Sequence, residues 1–298
     1  MNKYLVLLLV MVFSLSCKKE RTKTVIEKET VAEVQKVKPS ALIKAFKYQP
    51  NAKPIISVHR GGKGIKSYPE NCLETLVYIN DSIKAIYEID VTKTKDDVLV
   101  LLHDNTLNRT TTGEGKIAEY TYNDLKAFNL VDDFGTITKF KIPLFKDVLI
   151  WAKDNNVILT IDIKKDVNLA AIVDLVREVK AQDVSIIITY DLKQAEAAYA
   201  VAPELLLSVS GRNNKELDWL LHSKIPTQNM LAFTGTRLSD STFYNKVHAK
   251  GIKTILGTLG NLDKQAKAKG DKLYKTWIAI GVDILATDRP FEAANAIK

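Results

Sequence analysis

Cysteine is scarce in this chain of 298 residues, which contains only Cys17 and Cys72. Neither stands in a His/Cys spacing motif, which argues against a structural zinc site. No glycine-rich phosphate-binding motif opens a predicted helix. The longest apolar run, residues 5–13, has about half the length of a membrane-crossing helix. These absences argue against a zinc-stabilised fold, a dinucleotide-type phosphate loop and a permanent transmembrane span.

Acidic residues are outnumbered by basic ones, 35 against 43, which leaves a formal net charge of +8. The excess lies at the amino-terminal end, because residues 1–50 contain ten Lys or Arg against four Glu, a net charge of +6. The remaining residues carry only +2. A nearly neutral body argues against a basic domain that binds a nucleic-acid backbone, so we expect no nucleic-acid partner.

The first seventeen residues have the pattern of a signal peptide. A lysine precedes the apolar run, and the small residues Ser14 and Ser16 precede Cys17. A cysteine at this point resembles the lipobox of bacterial lipoproteins, although Ser14 stands where leucine is usual. We predict a lipoprotein signal peptide over residues 1–17 that ends at a lipidated Cys17; the alternative is a plain signal peptide with an incidental cysteine. A lipidated Cys17 leaves Cys72 without a disulfide partner, as a small core residue.

Residues 18–50 are rich in Lys and Glu and contain no Gly. We interpret them as a charged tether whose lysines can contact anionic lipid, with a merely solvated linker as the alternative. Residues 51–298 then form one globular domain. Together these features predict an exported lipoprotein, anchored to the membrane of a bacterial cell envelope.

From residue 53 onward, short apolar runs alternate with amphipathic helical patterns. Eight of the runs predict strands, at residues 54–59, 86–91, 157–163, 185–189, 205–209, 230–233, 253–256 and 282–286. Eight β/α units in about 245 residues match a TIM (β/α)8 barrel, an α/β fold, with an open doubly wound sheet as the alternative. A return strand at residues 98–102 predicts a small β-hairpin excursion after the second strand. The last helical pattern, after Asn261, predicts one long helix.

Ionisable residues gather where the predicted strands end, which is where TIM barrels place reactive groups. Glu88 and Asp90 are two residues apart on one strand and therefore face the same side, as do Asp162 and Lys164. Carboxylates that converge in one barrel mouth repel each other unless a cation neutralises them. This indicates a hard divalent ion, Ca²⁺ or Mg²⁺. The alternative is that the charges are solvated or paired with nearby lysines.

Two of the four histidines, His59 and His103, end apolar strands beside these carboxylates. Imidazole titrates near neutral pH, so the two histidines indicate an acid/base pair. Arg60 and Lys164 add positive charge that can hold an anion, and a guanidinium can bind phosphate through two hydrogen bonds. The other two histidines lie on predicted helices with polar neighbours, and we expect both at the surface.

Short motifs appear in a fixed order along residues 54–291. They include His59-Arg60-Gly61, Pro69-Glu70-Asn71, Glu88-Ile89-Asp90-Val91, His103-Asp104, Arg109-Thr110-Thr111, Asp162-Ile163-Lys164 and Thr287-Asp288-Arg289-Pro290. In this order they resemble the glycerophosphodiester phosphodiesterase family. The resemblance implies a TIM barrel that uses a divalent metal ion to hydrolyse glycerophosphodiesters, small-molecule substrates, to sn-glycerol 3-phosphate and an alcohol.

The resemblance also implies a role for each matching residue. The implied positions are His59 and His103 for catalysis, Arg60 and Lys164 for phosphate binding, Glu88, Asp90 and Asp162 for the metal ion, and Glu70 for orienting a histidine or a ligand from behind. Asp162 stands where the family usually has the longer glutamate, so the choice of metal ion is left open.

Two other functions remain open at this stage. One is a barrel phosphodiesterase of the phospholipase D toxin or phosphoinositide-cleaving type that acts on intact lipids. The other is a non-catalytic lipoprotein that binds phosphorylated ligands. In the favoured reaction the attacking oxygen belongs either to a neighbouring substrate hydroxyl, which gives a cyclic phosphate first, or to water. A lone barrel closes its own sheet, so we expect a monomer.

Overall fold

The structure is a computed structural model that describes residues 38–298. The predicted signal peptide, Cys17 and residues 18–37 of the predicted tether lie outside the described residues. Between residues 38 and 298, no helix has both the length and the apolar character that crossing a membrane requires.

Nine strands form one sheet within the described residues. They are β1 Ile55–Val58, β2 Ile86–Lys93, β3 Leu99–Leu101, β4 Leu159–Ile163, β5 Ser185–Ile188, β6 Leu206–Ser210, β7 Met230–Phe233, β8 Lys253–Gly257 and β9 Ile284–Thr287. All except β3 are parallel, and β1 closes the ring because it pairs with β9 on one side and with β2 on the other. The predicted TIM barrel is confirmed, and its closure excludes the open sheet.

The hairpin predicted after the second strand is present, because β3 runs antiparallel to β2. Residues 102–144 follow it and form a small lobe with its own apolar cluster, which includes Leu107 and Leu130. The lobe lies beside the turn that follows β1, since Asp133 accepts a hydrogen bond from the backbone N–H of Gly64 at 2.6 Å. The excursion therefore builds one wall of the barrel mouth.

Helices surround the barrel and connect its strands. They are α1 Ala41–Ala45, α2 Leu73–Asn80, α3 Tyr122–Leu125, α4 Phe145–Asp154, α5 Leu169–Glu178, α6 Leu192–Val201, α7 Asn214–Leu221, α8 Ser241–His248, α9 Asn261–Lys269, α10 Lys272–Ala279 and α11 Pro290–Ala296. The single long helix predicted after Asn261 is wrong. Gly270, with a φ of 109°, ends α9 in a conformation that favours glycine, and α10 starts afresh two residues later.

Alternate residues of each barrel strand face the interior and the surrounding helices. On β1, Ile56 and Val58 pack in the outer core between sheet and helices, whereas Ile55 packs inside the barrel. The inner cluster consists mainly of residues near the beginning of strands, namely Ile86, Ile186, Leu206, Leu231, Ile255 and Ile284. Apolar side chains thus fill the amino-terminal end of the barrel interior and leave its carboxyl end to polar groups.

Helix α1 closes this amino-terminal end. Leu42 and Phe46 are buried in the inner cluster, and the backbone N–H of Ser40 donates to the carbonyl of Glu204 at 2.8 Å. The tether prediction had assigned these residues to the range 18–50, whereas residues 40–46 pack against the barrel. Leu42 and Phe46 are four residues apart and share one helix face, which the abundance of lysine in this segment obscured.

We expect Phe46→Ala to lower the free energy of unfolding by about 3 kcal/mol, because it opens a cavity at the base of the barrel. Urea unfolding followed by circular dichroism measures the change. Lys44→Ala, on the exposed side of the same helix, is the control and should change stability by less than about 0.5 kcal/mol. Equal effects of the two substitutions would contradict a packing role for α1.

Candidate active site

Three carboxylates meet at the carboxyl ends of β2 and β4. The strand register places Asp90 opposite Asp162, and Glu88 one inward-facing position deeper, opposite Thr160. One oxygen from each of the three carboxylates lies within 4.8 Å of the other two. A close set of carboxylate oxygens is the donor set that hard divalent cations such as Ca²⁺ and Mg²⁺ prefer, so these residues fit such an ion.

The ammonium group of Lys164 is hydrogen-bonded to two of these three carboxylates. Its Nζ donates to Asp90 at 2.5 Å and to Asp162 at 2.9 Å. Burial acts to raise the pKa of Asp90, but the charge of Lys164 together with the hydrogen bonds from Lys164 and Asn71 outweighs it and holds that pKa below its ordinary value. Burial and the nearby Asp90 raise the pKa of Glu88 well above its ordinary value. The cluster thus holds more negative charge than Lys164 balances, which a divalent cation would offset.

The turn after β1 brings its backbone against Glu88. Arg60 has a left-handed backbone with a φ of 50°, and its N–H donates to Oε2 of Glu88 at 2.6 Å. Gly61 follows with a φ of 62°, and a Cβ atom there would lie 2.6 Å from Cδ1 of Leu76. Glycine at this position therefore lets the turn approach α2 closely, which keeps His59 and Arg60 beside the carboxylates.

His59 is oriented by a carboxylate at the end of β9. Its Nδ1 lies 2.6 Å from Oδ1 of Asp288. Burial acts to raise the pKa of Asp288, but the hydrogen bond from His59 and the nearby positive charges, among them Lys63 and Arg60, together outweigh it, and the pKa lies below its ordinary value. An ionised Asp288 accepts this bond, so Nδ1 carries the proton and Nε2 is the basic nitrogen. The backbone N–H of Asp288 in turn donates to the buried carboxylate of Asp263 at 2.8 Å.

His103 has the same arrangement with its neighbour in sequence. Its Nδ1 lies 2.7 Å from Oδ1 of Asp104, and Arg109 donates to Asp104 at 2.7 and 3.0 Å. The hydrogen bond from Arg109 holds the pKa of Asp104 well below its usual range, so Asp104 accepts and Nδ1 of His103 donates. The Nε2 of His103 accepts a hydrogen bond from Nη2 of Arg60 at 2.6 Å.

Glu70 connects the two arginines. This residue is only 3% exposed, and its carboxylate accepts hydrogen bonds from Arg60 at 3.2 Å and from Arg109 at 2.7 Å. The structure therefore places Glu70 behind Arg60 and Arg109 rather than directly behind a histidine or one of the three clustered carboxylates. Arg60, predicted to bind phosphate, lies between Glu70 and the Nε2 of His103.

These groups open into a cavity of about 250 Å³ at the barrel mouth. Both histidines and all three carboxylates line it, while Lys164 lines an adjoining cavity that shares Asp162. The predicted site residues in the described chain thus lie around one cavity, at the ends of β1, β2, β3 and β4, with Glu70 behind them in the loop before α2.

Three residues that hold the site in place received no role from the sequence, namely Asn71, Asp104 and Asp288. Asn71 binds Asp90 twice, through Nδ2 at 2.7 Å and by accepting the Asp90 backbone N–H at 2.9 Å. The positions of Asp104 and Asp288 at strand ends were a usable signal. For Asn71, 19 residues before Asp90, the spacing offers no signal because only the folded turn brings the two together.

One of the two histidines expected at the surface is largely covered by other residues. His222 is exposed, but the side chain of His248 is only 10% exposed. Its ring stacks on Tyr48 with centroids 3.8 Å apart, and its Nε2 lies 2.8 Å from Oδ2 of Asp283. The surface prediction for His248 is wrong because residues before β1 fold over α8, a tertiary contact that polar neighbours in sequence do not indicate.

Comparison with protein families agrees with this geometry. The model of the glycerophosphoryl diester phosphodiesterase family matches residues 59–292. The chain belongs to this family. The match begins at His59 and includes every predicted site residue of the barrel, so the predicted resemblance is confirmed.

Individual relatives support the membership. A glycerophosphodiester phosphodiesterase from Bacillus altitudinis is 34% identical over 117 residues, which are 38% of this chain and 46% of that protein. The match with this relative thus spans about half of the relative's length. A glycerophosphoryl diester phosphodiesterase structure from Parabacteroides distasonis is 33% identical, with a TM-score of 0.81 over 86% of this chain and 90% of that one.

A more distant structure shows the same fold with a bound product. It is a phosphodiesterase from Oleispira antarctica in complex with sn-glycerol-3-phosphate. This enzyme is 20% identical to the chain and superposes with a TM-score of 0.66, over 86% of this chain and 98% of that one. At this identity the likeness concerns the barrel itself.

The raised pKa of Glu88 predicts how stability depends on pH without a bound cation. Folded Glu88 keeps its proton to a higher pH than unfolded Glu88, so stability from this residue is lost as the pH rises through the folded-state pKa. Glu88→Gln removes the ionisation and keeps an acceptor for the Arg60 N–H. In EDTA we expect this variant to be more stable than the wild type at about pH 8, with the gain shrinking toward about pH 5.

Urea unfolding at the two pH values measures this gain. Glu114→Gln, at an exposed position, is the control and should change stability little at either pH. A Glu88→Gln protein that is less stable than the wild type at the higher pH would contradict the destabilising effect of the ionised carboxylate.

Proposed function

We propose that this protein hydrolyses glycerophosphodiesters to sn-glycerol 3-phosphate and an alcohol by two-histidine acid/base catalysis. The observation that carries the proposal is the pair His59 and His103, which line one cavity with three carboxylates. Each histidine has its Nδ1 against a carboxylate. Family membership and the product bound by the Oleispira antarctica enzyme support the substrate class.

The carboxylates of Glu88, Asp90 and Asp162 would hold one divalent ion, Ca²⁺ or Mg²⁺. When bound there, such an ion supplies Lewis-acid polarisation of a phosphodiester oxygen. Asn71 and Lys164 fix two of these carboxylates by hydrogen bonds, and the Arg60 N–H fixes the third. The three carboxylates are thus held in position before the substrate binds, which limits the reorganisation that binding requires.

His59 is suited to take the proton from the attacking oxygen. The bond from its Nδ1 to Asp288 keeps Nε2 as the basic nitrogen, and it stabilises the imidazolium that forms when Nε2 is protonated. The same logic applies whether the attacking oxygen is a neighbouring substrate hydroxyl or water.

His103 is suited to protonate the leaving alkoxide, provided that Arg60 changes partner. In the structure the Arg60 Nη2 donates to the Nε2 of His103, so this nitrogen cannot also carry a proton for the alkoxide. A phosphate group competes for the guanidinium through charged oxygens, and transfer of Arg60 to the phosphate would free Nε2 of His103. The freed nitrogen would then take up a proton from solvent, and this is the proton that it passes to the leaving alkoxide. Substrate binding and readiness of the acid are coupled in this way.

The experiment that tests the reaction is an assay of products from glycerophosphocholine and glycerophosphoethanolamine, with and without EDTA. We expect sn-glycerol 3-phosphate and the free alcohol. EDTA should lower the rate by at least about 10²-fold, because removal of the divalent ion leaves the negative charge of the transition state without a neutralising cation. Added Ca²⁺ or Mg²⁺ should restore the rate. Release of glycerol and phosphocholine, or full activity in EDTA, would contradict the proposal.

The same assay tests the two histidines. His59→Ala and His103→Ala should each lower kcat/KM by at least about 10²-fold, because each removes a proton-transfer group. His222→Ala, at the exposed residue that follows α7, is the control and should behave as the wild type. Turnover near the wild-type rate in both His59→Ala and His103→Ala would remove their assigned roles.

We also propose that the protein is an exported lipoprotein, anchored through Cys17. The support is the signal-peptide pattern of residues 1–17 and the charged segment after it. In bacterial cells the full chain should incorporate labelled fatty acid and sediment with membranes. Cys17→Ala should lose the label and leave the membrane fraction, whereas Cys72→Ala should keep both. A labelled, membrane-bound Cys17→Ala protein would contradict this anchor.

A further inference from the structure

A buried carboxylate, that of Asp263, is linked to His59 through Asp288 and has no part in the steps described above. Asp263 is the third residue of α9 and is only 4% exposed. Three neutral groups donate to it, namely the phenol of Tyr274 at 2.8 Å, the hydroxyl of Thr287 at 2.9 and 3.0 Å, and the backbone N–H of Asp288 at 2.8 Å. A buried carboxylate among neutral groups is costly, so what it adds over an apolar side chain is its capacity to accept hydrogen bonds.

Each of these partners has a hydrogen to donate, so Asp263 accepts on both carboxylate oxygens. Burial and the nearby Asp263 raise the pKa of Tyr274, so the phenol keeps its proton. The hydroxyl of Thr287 accepts the backbone N–H of Arg289 at 2.9 Å, which leaves its own hydrogen for Asp263. A backbone N–H can only donate. The three bonds therefore connect α9 to α10 and to the end of β9.

Asp288 is the first residue after β9, where the sheet stops supplying backbone partners. The ladder with β8 ends at Ala286, and the ladder with β1 ends at Thr287. The N–H of Asp288 is paired with the Asp263 carboxylate instead. This bond fixes the peptide group of Asp288 and with it the direction of the side chain, which reaches Nδ1 of His59 at 2.6 Å.

We propose that Asp263 is a positioning residue for the proton transfer assigned to His59. It holds the backbone after β9 so that the carboxylate of Asp288 meets Nδ1 of the histidine. Asp263 does not itself line the cavity at the barrel mouth, so its effect on the reaction passes through Asp288. That effect rests on the proposed function, whereas the contact itself forms without substrate.

The contact is tested by the tautomer of His59, read from two-bond ¹H–¹⁵N NMR spectra of the imidazole rings. The spectra are recorded in EDTA without substrate at about pH 9, well above the ordinary pKa of imidazole. The wild type should show His59 with the proton on Nδ1. Asp263→Ala should shift His59 toward the Nε2–H form of free imidazole, because Asp288 no longer faces Nδ1. His103, whose Nδ1 lies against Asp104, is the internal reference and should keep its tautomer.

Activity on glycerophosphocholine in Mg²⁺ tests the route of the effect. Asp263→Ala should lower kcat by at least about 10-fold, because a displaced base costs rate, and should change KM less than about 2-fold. Combined with Asp288→Ala, it should cause no loss beyond that of Asp288→Ala alone, because the two residues act as one unit.

Asp263→Asn is the conservative variant. Its amide oxygen still accepts the N–H of Asp288, and its NH₂ group can donate to the hydroxyls of Tyr274 and Thr287, which are able to accept. This variant should keep the His59 tautomer and a kcat within about 3-fold of the wild type. A loss equal to that of Asp263→Ala would show that the charge, and not the position of Asp288, is what matters.

Asp283→Ala is the matched control, at the opposite end of the same strand. Asp283 precedes β9 and accepts the backbone N–H of Thr254 at 2.7 Å and its hydroxyl at 3.0 Å. Its removal should lower stability as well, but should leave the His59 tautomer and kcat unchanged. Thermal unfolding checks that each variant is folded. Asp263→Leu, which fills the same space without accepting a hydrogen bond, replaces Asp263→Ala if that variant does not fold.

Two sets of results separate the possible failures. Positioning by Asp263 is overturned if His59 keeps its tautomer in Asp263→Ala, if Asp283→Ala shifts it equally, or if the losses in the double variant multiply; the proposed function then still stands. A wild type that shows the expected tautomers but hydrolyses no glycerophosphodiester overturns the proposed function and leaves the contact between Asp263 and Asp288 in place.

Discussion

The repulsion among three carboxylates in one barrel mouth is the constraint on which the rest of the site depends. Parallel register brings Glu88, Asp90 and Asp162 so close that their charges cannot all be solvated independently. The surrounding structure responds with fixed donors, the ammonium of Lys164, the amide of Asn71 and one backbone N–H. A site that concentrates negative charge without balancing it is prepared for a cation, and the fold supplies the rigidity that keeps the charges together.

Around this cluster, charges of opposite sign alternate outward. Glu70 binds two arginines, Arg109 binds Asp104, and Asp104 accepts a hydrogen bond from His103. The alternation lets charged groups lie in a partly buried mouth, because each ion has an opposite neighbour. It also means that few groups act alone, and that a change at Glu70 reaches both arginines although this residue lies behind the site.

Much of this arrangement was predictable from the chain alone, for a physical reason. Strand period and barrel topology place every second residue at the end of a strand in the mouth, so Glu88, Asp90, Asp162 and the two histidines could be assigned from spacing. The partners of these residues were harder to predict. Asn71 reaches Asp90 through a turn with a positive φ, and α1 packs on the barrel through two apolar residues in a lysine-rich segment. Both depend on tertiary contacts that local pattern does not contain.

Helix α1 also determines by which end the molecule can be held. Ser40, just before it, donates hydrogen bonds to the carbonyls of Gln182 and Glu204, both at the base of the barrel. The described chain therefore starts at the end opposite the cavity. An attachment through these first residues would therefore hold the molecule by the base of the barrel. The mouth then stays open, and small diesters can diffuse into the cavity directly from solution.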